Sequence, residues 1–90
     1  MNIYELADLI DAAISIKRYP NQKNRWTASF EYAEEKDGAL LSTLYGDSDS
    51  PQHALAMYAK MIRGKTVVFS AMSKDYRRTY NIPENLDTTC

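Results

Sequence analysis

The hydrophobic period changes near residue 14, and that change restricts the chain to folds that combine helix with sheet. Upstream, Ile3, Leu6, Leu9, Ile10 and Ala13 recur at helical spacing and form one apolar stripe, with Glu5, Asp8 and Asp11 on the other side. Asn2 is placed to cap this helix, and acids near its start suit the positive end of the helix dipole. The spacing predicts a helix over residues 3–13. Downstream the period is two. Residues 14–19 alternate, residues 20–24 are polar and turn-rich, and residues 25–32 alternate cleanly. Trp26, Ala28, Phe30 and Tyr32 share one face of that second strand, and Arg25, Thr27, Ser29 and Glu31 share the other.

Residues 33–38 read as a charged connection ending in the turn residue Gly38, and residues 39–45 as a third strand. Short links between the three strands predict an antiparallel meander. A second helix is expected at 51–63: Ser50 is an N-cap, Pro51 takes the first helical position and Gly64 ends it. Its apolar stripe is Ala54, Leu55, Tyr58, Met61 and Ile62. Residues 66–70 are β-rich and predict a fourth strand. Beyond Ala71 the signal weakens, with a short strand around Tyr80–Ile82 and a loose tail from Pro83.

The order is α-β-β-β-α-β, an α+β fold with one antiparallel sheet and both helices on one face. Residues 1–90 make a single domain, with a core over 1–71 and a weakly ordered C-terminal extension over 72–90. Trp26, Phe30, Leu44, Leu55, Ile62 and Val67 are the expected core residues.

Composition narrows the function. Lys and Arg total 11 against 12 Asp and Glu, so the surface as a whole lacks the basic excess of a nucleic-acid binder, although a local patch is compatible with that balance. The single cysteine, Cys90, cannot staple a fold, and a reducing, cytoplasmic compartment is the simplest reading. No apolar run approaches a membrane span, and the acidic, amphipathic start does not read as a signal peptide.

Catalytic signals are sparse. His53 is the only histidine, and at the start of a helix it reads as a surface or capping side chain. One His and one Cys do not make a zinc site, and three glycines write no phosphate-binding loop, so neither metal nor cofactor is expected. A carboxylate-only active site is left open. Two charged sets remain. Glu31, Glu34, Glu35, Asp37, Asp47 and Asp49 are acidic and fall in expected loops or strand ends, where they could be solvated loops or could face a basic partner surface. Lys17, Arg18, Lys23 and Arg25 are basic and interleaved with Tyr19 and Trp26, a pattern that suits nucleic acid. Lys74, Arg77 and Arg78 form a second basic cluster. Seven tyrosines favour a protein interface.

Three resemblances follow from these residues. Helix, three strands and an alanine-bearing helix (Ala54, Ala56, Ala59) after Gly46 resemble the double-stranded-RNA-binding domain, which implies a nucleic-acid-binding module. That family has lysines at the start of its last helix, where this chain has Ser50, Pro51, Gln52 and His53 behind Asp47 and Asp49. The aromatic strand Trp26 to Phe30, the Gly46-Asp47 turn and the Ser50 cap before Ala54-Leu55 resemble HicB-like antitoxins, which implies masking of a toxin. In length, charge balance and compact α+β order the chain is similar to small phage-encoded proteins of the anti-CRISPR type. That similarity implies a non-enzymatic inhibitor or adaptor that binds a basic surface of a host nucleic-acid-handling complex.

Overall fold

Helix α1 spans Ile3–Ile10 in a computed structural model that describes residues 1–88. A capping box starts it: Asn2 Oδ1 accepts from the Glu5 N–H at 2.9 Å, and the Asn2 N–H donates to Glu5 Oε1 at 3.0 Å. Ile3, Leu6, Ala7 and Ile10 are its buried face. The helix stops before residue 13 because Asp11 turns left-handed and Arg78 covers the end. Arg78 donates to the carbonyls of Ile10 (2.8 Å) and Asp11 (3.2 Å), groups a helix C-terminus otherwise leaves unpaired. Its guanidinium also lies 5.1 Å from the centre of the Phe69 ring.

The α+β class holds, with two helices and seven strands among the described residues. The strands form two antiparallel sheets in place of the expected single one. The first sheet orders β1 (Ile14–Arg18), β2 (Trp26–Phe30) and β5 (Gly46–Ser48) as β1-β2-β5. The second orders β3 (Ala33–Asp37), β4 (Leu40–Ser42), β6 (Thr66–Phe69) and β7 (Arg78–Asn81) as β4-β3-β6-β7. The segment expected as a charged loop is β3, which pairs with both β4 and β6. The expected third strand over 39–45 is divided. Its first half is the return of a hairpin around Gly38, whose positive φ of 62° suits the first central position of a tight hairpin turn. The third partner in the meander is β5, paired with β2 from Trp26↔Ser48 to Ala28↔Gly46.

Helix α2 (Pro51–Ile62) lies across β5 and β2. Ser50 caps it, accepting from the His53 N–H at 3.1 Å. Gly46 makes this packing possible: a Cβ there would run into the Ala54 carbonyl oxygen and the Tyr58 nitrogen, both backbone. Ala54, Leu55, Tyr58, Ala59 and Ile62 are fully enclosed, and Phe30 meets Tyr58 edge-to-face at 5.5 Å. Phe30, Leu55, Ile62 and Val67 are core residues as expected, whereas Trp26 and Leu44 are only half-buried.

The C-terminal segment is part of this core. β7 pairs with β6 from Thr66↔Asn81 to Phe69↔Arg78, Ile82 and Leu86 are buried, and the Asp87 N–H donates to the Met1 carbonyl at 2.8 Å. The boundary expected at residue 71 therefore cuts through a sheet and is replaced by one folded unit through residue 88. Cys90 lies outside the described residues. Among the described residues no helix is long and apolar enough to cross a membrane.

A candidate binding cleft at the sheet corner

The chain passes from one sheet to the other within two residues, Glu31 and Tyr32. The Glu31 N–H still extends the first sheet, donating to the Ala13 carbonyl at 2.9 Å. The Tyr32 carbonyl already belongs to the second, accepting from the Ser70 N–H at 3.0 Å. Both residues of that last bond have left-handed backbones, Tyr32 at φ 60° and Ser70 at φ 52°. For a bulky aromatic this conformation costs about 1–3 kcal/mol. It points the Tyr32 side chain out of the alternation that would have buried it, leaving the residue 81% exposed.

A cleft of about 720 Å3 opens at this corner. Tyr32, Tyr45 and Met72 contribute its exposed apolar groups, with Met72 97% exposed. Lys17, Glu31 and Glu34 contribute its charges, and hydroxyls such as those of Ser15, Ser29 and Ser70 contribute neutral polar lining. Lys17 pairs with Thr27 in the sheet register, four residues before Glu31, so their backbone positions are offset by roughly 13 Å along the strand direction. The cleft thus has a basic end and an acidic end.

The six acidic candidates do not form one surface. Glu31 and Glu34 line the cleft, and Asp37 is exposed at the end of β3. Asp47 is held by Arg25 in an exposed ion pair at 2.7 Å. Asp49 is exposed at the start of α2. Glu35 is inside the protein, 2% exposed, with both carboxyl oxygens engaged. The Tyr58 hydroxyl donates to Oε1 at 3.1 Å and the Leu44 N–H donates to Oε2 at 3.0 Å. Burial pushes the Glu35 carboxyl above its ordinary pKa, against the pull of those two hydrogen bonds and the Lys65 charge. Burial and the adjacent Glu35 push the Tyr58 hydroxyl upward too, so it remains a donor. Glu35 is therefore a structural residue and not a group free to meet a partner's surface.

The basic candidates divide as well. Lys17 faces the cleft, Arg18 and Lys23 are exposed, and Arg25 is neutralised by Asp47. Of the second basic cluster, Arg78 is the cap on α1.

One arrangement was not foreseen from spacing. Ser48 Oγ lies 2.7 Å from His53 Nδ1 and 3.3 Å from Asp49 Oδ1. It has the composition of a hydrolytic triad without its geometry. An orienting acid holds the imidazole nitrogen opposite the one facing the serine, but Asp49 approaches the same Nδ1, at 3.9 Å. The three residues run from the end of β5 to the first turn of α2, and none of them lines the corner cleft. Among the described residues, no group of three His, Cys, Asp or Glu side chains is gathered to hold a metal ion.

Sequence alternation missed Tyr32 as a candidate because it continues through residue 32. Tyr45 and Met72 carried no pattern beyond their residue type. No protein-family model, no curated protein and no solved structure matches this chain.

Proposed function

We propose that this protein is a non-enzymatic binding module that acts by occupying a surface of another protein through the Tyr32 corner. The single observation that carries this reading is Tyr32 itself: an aromatic ring held in solvent on a backbone conformation that costs stability. Packing within the fold gives no return for that cost, whereas exposed tyrosine and methionine side chains are typical anchors of protein interfaces. Glu31 and Glu34 beside it favour a basic partner surface, such as that of a nucleic-acid-handling complex. A small phage-type inhibitor that blocks such a complex is the biological form of this proposal.

The test is capture from a bacterial host extract with the immobilised protein, followed by affinity measurement on the retained protein. Tyr32→Gly should weaken the complex roughly 30-fold, the effect of losing an interface hot spot of about 2 kcal/mol. Unchanged affinity would remove the corner from the interface. Retention of nucleic acid with a steep salt dependence would replace this reading by direct nucleic-acid binding.

A further inference from the structure

We infer that the open edge of β1 is a docking strand for an extended, acid-bearing segment of the protein partner. The inference rests on the binding-module reading and adds a second element of recognition to it.

The register fixes which backbone groups are free. Tyr19 bonds to Arg25 and Glu31 bonds to Ala13 across the β1–β2 pair, so the odd-numbered residues of β1 direct their N–H and C=O groups toward β2. Ile14, Ile16 and Arg18 therefore direct theirs to the opposite side, where no strand pairs with β1 among the described residues. A five-residue edge of this kind is a template for a further strand. It also adjoins the corner cleft, since Ser15 and Lys17 line both.

Side chains select the occupant. Ile16 is 39% exposed on the helix side of the sheet, and Lys17 projects on the cleft side. Neither Lys17 nor Arg18 has an ion-pair partner among the described residues. An added strand would set an apolar residue beside Ile16 and a carboxylate beside Lys17 (simple alternation along the strand). A second copy of this chain fits less well. Antiparallel pairing centred on Ile16 would bring two Lys17 side chains into diagonal contact, about 7–8 Å apart, with no acid between them. The edge thus prefers a heterologous strand, and the basic β1 end together with the acidic Glu31–Glu34 end fixes its orientation.

The experiment uses the full chain and two synthetic hexapeptides, one of alternating valine and glutamate and one of alternating valine and lysine, followed by amide NMR. The glutamate peptide should shift and slow exchange of the Ile16 and Arg18 amides, and bind at least about tenfold more tightly than the lysine peptide. Ile16→Pro should abolish this binding while the protein stays folded, because the N–H it removes faces away from β2. Lys17→Glu should reverse the peptide preference and serves as the second variant should the proline unfold the strand. Absence of shifts at β1, or equal binding of both peptides, overturns the edge proposal. So does concentration-dependent self-association through Ile16, or displacement of the peptide by duplex RNA. If the edge proposal fails while Tyr32 still governs capture of a partner protein, the corner reading survives alone. Failure of both removes protein binding from this face.

Discussion

The ground beneath α2 and the corner at Tyr32 treat their side chains in opposite ways. Beneath the helix a glycine stands at a place where a side chain would not fit, and among the described residues no buried polar side-chain atom lacks a hydrogen bond. Even the enclosed carboxylate of Glu35 has a donor on each oxygen. At the corner, three residues earlier in the chain, an aromatic ring is held in solvent on a strained backbone. The first region is arranged for stability and the second is not. Strain that persists in a small domain of marginal stability points to a use outside the fold.

If the ground beneath α2 is as close-fitted as this contrast requires, Gly46→Ala should produce the largest effect of any single methyl. The added carbon meets backbone atoms of Ala54 and Tyr58, which cannot rotate away, so α2 must lift from β5. The expected loss is at least about 3 kcal/mol, read as a shift in the denaturation midpoint. A loss below about 1 kcal/mol would show that helix and sheet slide easily, and the contrast would weaken.

Glu35→Ala comes next. It orphans the Tyr58 hydroxyl and the Leu44 N–H together and should cost about 2–3 kcal/mol. The same carboxyl gives a pH signature. Its folded pKa is raised by burial, so between its ordinary value of 4.5 and the raised value the folded state holds a proton that the unfolded chain has released. The contribution to stability is fully present below the unfolded pKa and is lost as pH rises through the folded one. Wild-type stability measured relative to Glu35→Gln should therefore fall as pH rises through that window. A difference that grows with pH would mean that hydrogen bonding to the carboxylate outweighs burial.

The same contrast explains what the sequence could and could not reveal. Both helices and β2 were legible, because their apolar residues repeat at the period of the element and local caps mark their starts. β3 was not, because its inward position holds Glu35, a residue type that reads as surface until the fold brings it the Tyr58 hydroxyl and the Leu44 N–H. β5 was hidden for a related reason. Gly46, Asp47 and Ser48 are poor strand formers, and pairing with β2 beneath α2 decides their state. The end of α1 depends on Arg78, 67 residues beyond Asp11. The candidate site is the extreme case. Alternation assigned Tyr32 inward, and only the pairing of β3 with β6 and the Ser70–Tyr32 bond turn it out.

Tyr32→Gly is the smallest expected change in stability and the most informative, because its sign is opposite to the others. Glycine adopts a positive φ without the steric cost that tyrosine bears at 60°. The ring is 81% exposed, so little buried area is lost with it. Glycine also gives the unfolded chain more freedom, which offsets part of the relief. The net expectation is a stabilisation of about 1 kcal/mol, a rise of a few degrees in Tm for a domain of this size. The Ser70 N–H bond to residue 32 is preserved because it uses the backbone carbonyl, so the corner keeps its course. A fold made more stable by a substitution that also weakens partner binding is the pattern of a residue kept for function at the expense of stability. Destabilisation by more than about 1 kcal/mol would instead mean that the Tyr32 ring packs against its neighbours in solution. The corner would then belong with the ground beneath α2, and its exposed ring would no longer argue for a binding site.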